Sequence, residues 1–337
     1  MKLTVTDVIE ETHDARSLVF AVADNEQARL HYLPGQFLTL RVPTESGDAV
    51  ARCYSLASSP HTDSAPKVTI KRVDGGHGSN WLCDNVATGQ VIEALLPAGT
   101  FTPRTLDADL LLWAGGSGIT PVMSILKSAL ASGTGKVTLV YANRDERSVI
   151  FAAELRELMA EHPDRLTVLH WLESVQGLPS EQHLTALARR LGAAESFICG
   201  PAPFMAAVQA ALRNTGMPRT AVHVEVFTSL SGNPFAEIEH LDVGADDDSP
   251  TVTVTIDGGQ HQLQWPRQAT LVDVMLSAGL DVPYSCREGQ CGSCAATLLG
   301  GEVDMPASEI LEPDDIEAGT ILGCQVRPVS DDIEVEF

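Results

Sequence analysis

Cys286, Cys291 and Cys294 stand in the spacing C-x4-C-x2-C, and Cys324 follows far downstream. Four cysteines so arranged match the ligand pattern of a 2Fe-2S cluster, in which thiolates hold two irons. Gly289 and Gly292 lie between the ligands. There a loop must wrap closely round an inorganic core with its N–H groups turned to the sulfides, and residues without a Cβ permit that approach. Two other readings of the same cysteines are a pair of disulfides and a zinc site on the C-x2-C half. Zinc sites favour two close-spaced ligand pairs, and Cys324 has no nearby partner in sequence.

Further residues carry chemistry suited to phosphates and planar rings. The turn GGSGITP, residues 115–121, follows an apolar run and opens a helical stretch. Backbone N–H groups and a helix dipole therefore stand where a pyrophosphate could sit. Gly78, Ser79 and Asn80 precede WLCDNV in the same way, as small and capping residues at a helix start that favours an anion. Arg52, in RCYS at 52–55, offers a guanidinium that clamps phosphate bidentately, and Tyr54 offers an aromatic face to cover a planar ring. At 143–148 stands NRDERS, after a second apolar run. A carboxylate there accepts from a free ribose 2'-hydroxyl, whereas clustered arginines welcome a 2'-phosphate. Asp145 and Glu146 lie between Arg144 and Arg147, so these residues alone leave both kinds of dinucleotide open.

The elements that must position these groups change rhythm along the chain. Residues 1–104 hold short alternating runs (KLTVTDVIEE, RSLVFAVA, QFLTLRVP, RCYSLASS, PKVTIKRV, QVIEALLP) punctuated by turn residues, which predicts a small antiparallel β-barrel interrupted by one helix. Residues 105–230 alternate apolar strands with helical stretches. They predict an α/β domain with five parallel strands, helices on both faces and ligands beyond the strands' carboxyl ends. The usual G-x-G-x-x-G fingerprint is absent. Residues 231–249 read as an acidic linker. In 250–337, TVTVTI and HQLQW flank a DGGQ turn as a hairpin, and ATLVDVMLSAGL reads as a helix stopping at Gly279, giving a small α+β domain that benefits from a cluster as a staple.

A chain of 337 residues suits two or three domains. No apolar run reaches the roughly 18 residues of a membrane span, and the first residues are polar and acidic. Cytoplasmic location without membrane attachment is the expectation. Seven cysteines, four claimed by the cluster, leave Cys53, Cys83 and Cys199 as reduced thiols. Charge is uneven: residues 231–337 carry 21 acidic and 3 basic side chains, net −18, against 24 and 19 in residues 1–230, net −5. Nucleic acid is thereby excluded as a partner class, since phosphate contacts need Lys and Arg. The acidic end is either a solvated face or a surface that steers a basic redox partner.

In this order the motifs resemble the ferredoxin-NADP reductase superfamily. PGQF at 34–37, RCYS and KRVDGGHGSNWL at 71–82 resemble its flavin domain, GGSGITP and CGPAPFM at 199–205 its nicotinamide domain, and the C-terminal segment the β-grasp domain of plant-type ferredoxins. The resemblance implies that Arg52 pairs with the flavin phosphate, Tyr54 lies against the isoalloxazine and Ser55 bonds near its N5, with Cys53, Lys71, Gly78, Ser79 and Asn80 completing the flavin site. It implies further that Gly116, Gly118, Thr120 and Pro121 shape the nicotinamide bed, that Asp145 meets the ribose, and that Cys199, Gly200 and Pro201 lie beside the nicotinamide. Glu225 would approach the hydride-transfer site and Phe227 would cover the flavin; with Tyr54 and Ser55 they are the catalytic candidates.

The order flavin, nicotinamide, ferredoxin is that of the reductase components of bacterial oxygenases. Stretches such as RCYSLASSP, AGGSGITP, YANRDERSVIF and SCREGQCG are similar to those of reductases serving 3-ketosteroid 9α-hydroxylases. That likeness implies NADH, FAD rather than FMN, and a Rieske-type oxygenase docking on the acidic ferredoxin domain. A nicotinamide gives two electrons as hydride and a 2Fe-2S cluster takes one at a time, so a flavin must stand between them. The alternatives are a reductase for another oxygenase, such as phenylacetyl-CoA epoxidase, and a redox-sensing 2Fe-2S protein.

Overall fold

Six strands begin the chain in the computed structural model, which describes residues 1–23, 30–44, 49–230, 232–236, 249–256, 258–308, 310–311 and 313–337. They are β1 (Lys2–Thr12), β2 (Ala15–Val22), β3 (Phe37–Pro43), β4 (Ala49–Ser55), β5 (Lys67–Lys71) and β6 (Val91–Glu93). Antiparallel pairing gives a four-stranded sheet ordered β5-β2-β1-β6 and a β3-β4 hairpin. Two isolated bridges, Leu40 with Ala94 and Leu56 with Val68, join hairpin to sheet on both sides and close the expected barrel. Leu3, Val5, Leu18, Phe20, Leu38, Leu40 and Ile70 fill it, each at most 1% exposed. Helix α1 (His77–Asn85) adds Leu82 and Cys83 to that core.

The strands β7 (Leu110–Gly115), β8 (Val137–Asn143), β9 (Leu166–Leu172), β10 (Glu195–Cys199) and β11 (Val222–Glu225) form one parallel sheet ordered β11-β10-β7-β8-β9. Helices α2 (Ile119–Ser132) and α3 (Ala152–Glu161), the short α4 (Glu173–Gln176), α5 (Glu181–Leu191) and α6 (Ala202–Thr215) separate the strands. One face of the sheet packs with α2 and α3, and barrel residues Ala15, Ala57 and Phe101 join the same apolar cluster; the other face packs with α5 and α6. β7 is buried along its whole length, as a strand covered on both faces must be.

The third region is a mixed sheet ordered β13-β12-β18-β14-β16, from β12 (Thr251–Ile256), β13 (Gly259–Gln264), β14 (Ala295–Gly300), β16 (Thr320–Leu322) and β18 (Asp332–Glu336), with a small pair β15 (Val303–Asp304) and β17 (Arg327–Pro328). β12 and β18 are parallel and the other partners antiparallel. Helix α7 (Leu271–Ser277), capped by Thr270, lays Leu271, Val272 and Met275 on a core centred on Trp265; α8 (Pro313–Glu317) is exposed. This is the grasp-like α+β arrangement expected for the C-terminal segment.

The chain divides into two compact units, residues 1–97 with 101–229, and residues 98–100 with 230–337. Barrel and parallel sheet thus share one unit. Of the segment read as a linker, residues 231 and 237–248 lie outside the described residues. No helix among the described residues is long and apolar enough to cross a membrane.

Candidate functional site

The carboxyl edge of the parallel sheet gathers residues that lie far apart in sequence. Cys199 is in register with Ala114 on one side and Glu225 on the other, so the turn after β7, the turn after β10 and the end of β11 stand side by side. Strand order reverses between β7 and β10, which is where open α/β sheets leave a crevice for ligands. Gly116–Gly118 forms a 3-10 turn that runs directly into α2, with no side-chain cap and no acidic residue in the first turn of the helix. Its N-terminal N–H groups and dipole are therefore available to an anion. A Cβ at Gly118 would stand 2.1 Å from the Cys199 carbonyl oxygen, and one at Gly200 would stand 2.9 Å from the Gly115 Cα. Only glycine lets the two turns touch. Thr120 Oγ1 donates to the Ser117 carbonyl at 3.0 Å and Tyr141 Oη donates to the Gly116 carbonyl at 3.1 Å, fixing the turn from both sides. Pro121 is buried in the first turn of α2, and Pro201 is the N-cap of α6.

Burial pushes the Glu225 carboxyl up to about 7. Burial, with the Glu225 charge adding to it, pushes the Cys199 thiol well above the ordinary range, so this cysteine stays protonated. Phe227 lies just beyond β11, 51% exposed; it does not fill the seam between barrel and sheet.

Asp145 has a different immediate task from the ribose contact that the sequence suggests. Its Oδ1 accepts from the N–H groups of Arg147 and Ser148, both at 3.0 Å, and from Ser148 Oγ at 2.9 Å, capping the turn Glu146–Ser148. The Ser148 hydroxyl holds this carboxyl below its usual range. Sequence reasoning missed Asn143, at the end of β8. It is 7% exposed, and neither its Oδ1 nor its Nδ2 has a hydrogen-bond partner among the described residues. The glycine cradle and the uncapped helix start fit a dinucleotide.

On the barrel, β4 carries Arg52, Tyr54 and Ser55, and the stem of Arg52 lies against α1 at Gly78. Gly76 caps α1 without a side-chain bond, and no acidic residue stands in its first turn. Guanidinium and helix start together make an anion cradle that fits a flavin phosphate. Ser79 Oγ accepts from the Val73 N–H and Asn80 Nδ2 donates to the Val73 carbonyl, both at 3.1 Å, so these side chains fasten the turn that precedes α1. Cys53 Sγ lies 3.4 Å from Thr39 Oγ1. Burial raises Tyr54 well above its ordinary range, keeping it a neutral phenol. Lys71, read with the flavin phosphate turn, has its Nζ 3.8 Å from the point a Cβ of Gly116 would occupy, and 3.7 Å from Asp14 Oδ2. It thus stands by the nicotinamide turn.

In the second unit Cys286, Cys294 and Cys324 are 1, 2 and 5% exposed and Cys291 is half-buried; none of the seven cysteines forms a disulfide. The N–H groups of Glu288 and Gln290 each point at Cys286 Sγ at 3.3 Å, and the Cys324 N–H points at Cys294 Sγ at 3.4 Å. Gly289 and Gly292 take φ of +74° and +71°, the left-handed turns that wind the loop. Hydrogen bonds from Cys291 and Cys324 hold the Cys286 thiol far below its usual range, and the two amides add to that. Among the described residues no three donor side chains close round one point as ligands of a single ion. A two-iron core asks instead for two thiolates on each iron, and buried thiols with amide donors fit it.

Comparison with known proteins follows the same three regions. Family models match residues 2–102 as an oxidoreductase FAD-binding domain, residues 112–210 as an oxidoreductase NAD-binding domain and residues 254–329 as a 2Fe-2S iron-sulfur cluster binding domain. The chain is 61% identical to the ferredoxin reductase component of 3-ketosteroid-9-alpha-monooxygenase from Rhodococcus rhodochrous over 337 residues, covering 99% of this chain and 96% of that protein. It is 33% identical to a component of the 1,2-phenylacetyl-CoA epoxidase of Escherichia coli (strain K12), over 99% and 97% of the two chains. Among solved structures it is similar to phthalate dioxygenase reductase, with TM-score 0.57, 24% identity and coverage of 100% and 98%, a likeness in fold. FAD, NADH and a 2Fe-2S cluster are the groups these domains take, and the chain is an oxidoreductase belonging to the family of 3-ketosteroid-9-alpha-monooxygenase ferredoxin reductase components.

Proposed function

We propose that this chain draws electrons from NADH and delivers them singly to a Rieske-type oxygenase component that hydroxylates a 3-ketosteroid. The observation that carries this reading is the 61% identity across all three domains to a reductase of that system. The 33% likeness to the epoxidase component is the weaker guide to the acceptor. When bound, FAD accepts the hydride of NADH and releases electrons one at a time toward the 2Fe-2S cluster.

The chain's own residues bind, orient and insulate. Arg52 and the start of α1, through Gly78, Ser79 and Asn80, hold the flavin phosphate, Tyr54 covers the ring, and Ser55 Oγ serves its reactive edge beside Cys53. The turn through Gly116, Gly118, Thr120 and Pro121 takes the pyrophosphate with Lys71 as counter-charge, Asp145 fixes the loop that faces the ribose, and Cys199, Gly200 and Pro201 line the nicotinamide. Glu225 holds a proton on its carboxyl near neutral pH, and Phe227 is the exposed ring that yields to the nicotinamide. Cys286, Cys291, Cys294 and Cys324 ligate the cluster. The domain limits that go with these roles are 1–104, 105–230 and 250–337.

The net −18 of residues 231–337 supports docking of a basic partner surface on the ferredoxin domain, and seven cysteines with no disulfide between them support a cytoplasmic setting. The test is reconstitution with the oxygenase component of a 3-ketosteroid-9-alpha-monooxygenase. NADH-dependent steroid hydroxylation, slowed by added salt, is the expected result. Hydroxylation that stays absent while a phenylacetyl-CoA epoxidase is served would overturn the assignment of partner.

A further inference from the structure

Four charged side chains meet in the seam between barrel and parallel sheet, Lys127 buried and the other three partly buried. Lys127, midway along α2, is 7% exposed, and its Nζ lies 2.6 Å from both Asp63 Oδ2 and Glu154 Oε1. Lys67, at the start of β5, places Nζ 3.0 Å from Glu154 Oε2 and 4.8 Å from the centre of the Phe151 ring. Asp63 and Lys67 come from the barrel, Lys127 and Glu154 from the sheet layer, so each side supplies one charge of each sign. Phe151, the residue from which α3 starts, is held at φ +61°, a conformation that a bulky side chain keeps only when its surroundings impose it. Burial works against the Glu154 carboxylate, and the two ammonium groups outweigh that and hold it below its usual range.

Four serines lie beside the charges, all fully buried. Ser124 Oγ donates to the Ser58 carbonyl at 2.6 Å, and the hydroxyls of Ser59 and Ser128 meet at 2.8 Å. Ser58 Oγ also accepts from the Lys67 N–H at 2.9 Å and meets Tyr32 Oη at 2.8 Å. Ser58 and Ser59 follow closely on the strand that carries Arg52, Tyr54 and Ser55. Ser124, Lys127 and Ser128 lie one to three turns along the helix whose start carries the pyrophosphate turn. The network is a strut from one cofactor site to the other.

An apolar seam would hold the two layers together at least as firmly as buried ions, because desolvating charge is expensive. What ions and hydroxyls add is a single register, since Lys127 is satisfied only where both carboxylates come within reach. Hydride transfer needs such a register, a misplacement of about 1 Å costing on the order of 100-fold in rate. We infer that Lys127, together with Asp63, Glu154 and Lys67, is a positioning lock that sets flavin barrel against nicotinamide sheet at reacting distance; this rests on the NADH-to-flavin reading above.

Asp63→Asn with Lys127→Met removes one charge of each sign and leaves the Lys67–Glu154 pair intact, so no buried charge is stranded. In the holoenzyme the limiting rate of flavin reduction by NADH, followed anaerobically, should fall about 100-fold while the dissociation constant for NADH moves less than about threefold. The long-wavelength charge-transfer absorbance of the flavin–nicotinamide complex should weaken, and amide hydrogen exchange without NADH should quicken in residues 56–67 and 120–130. Ser124→Ala with Ser128→Ala, a gentler change, should give roughly a tenfold fall with the same exchange signature. If the first variant does not fold, the serine pair decides. Variants that keep the wild-type rate and exchange would overturn the lock. If wild-type flavin is not reduced by NADH at all, the functional reading fails, and the exchange arm still decides whether the strut exists.

Discussion

Cys199 and Cys286 are each 1% exposed, and their thiols are driven in opposite directions. At the sheet edge Cys199 has burial and the neighbouring Glu225 against its ionisation. In the cluster loop Cys286 receives hydrogen bonds from Cys291 and Cys324 and from two amides, which outweigh burial. Desolvation alone therefore does not decide what a buried cysteine does; the donors aimed at its sulfur do. The first environment keeps a neutral thiol at the sheet edge, and the second aims backbone amides at a sulfur of the cysteine loop.

The largest effect is expected from Cys286→Ser. It should abolish the visible iron-sulfur absorption and the roughly two irons per chain, and stop delivery to the oxygenase. Flavin reduction by NADH should stay at the wild-type rate; retention of coupled hydroxylation by a cluster-free variant would remove the cluster from the route. Next is Gly118→Ala, whose Cβ would press on the backbone of Cys199 and Gly200, at 2.1 Å from the Cys199 oxygen. Stopped-flow flavin reduction should fall about tenfold or more while the cluster spectrum is untouched.

Glu225 gives a smaller, pH-dependent effect. Its folded value of about 7 lies above the 4.5 of an ordinary glutamate, so the folded chain binds the proton more tightly. Its contribution is most favourable below about pH 4.5, is lost as pH rises toward 7, and levels off beyond, a change of roughly 3 kcal/mol in all. Melting curves from pH 5.5 to 8 should show Glu225→Gln gaining on the wild type up to pH 7 and running parallel above it. The smallest effect tests the cysteine contrast itself. Native holoenzyme treated with iodoacetamide at pH 8 should show no modification at Cys199 by mass spectrometry, and unfolding should expose it.

How far this was legible from the sequence depends on how local each signal is. The cluster loop was, because three ligands and two glycines fall within nine residues. So were the six barrel runs and the five parallel strands; the alternation at the start of β1 and the continuous apolar run of β7 match the burial found. The GGSGITP and CGPAPFM turns were legible too, although only the register of β7 and β10 explains why their glycines are needed. Asp145 was half-legible: its place after β8 was clear, and its use as a cap depends on the Ser148 hydroxyl. Lys71 was assigned by its neighbours in sequence and lies by a turn 45 residues away. The Lys127 network was invisible, because a lysine in ITPVMSILKSALAS reads as an ordinary polar position, and its partners stand 64 and 27 residues distant. Closure of the barrel through two isolated bridges leaves no mark in any one strand.

Electrons that enter at the sheet edge must, on this reading, leave through the four thiolates. Anaerobic mixing of the holoenzyme with NADH, followed by rapid-scanning absorbance, tests that route without any partner protein. Bleaching of the flavin band should be followed by loss of the cluster's visible absorption, with the second phase alone missing in Cys286→Ser. Full reduction of the flavin beside a cluster that stays oxidised would contradict the route.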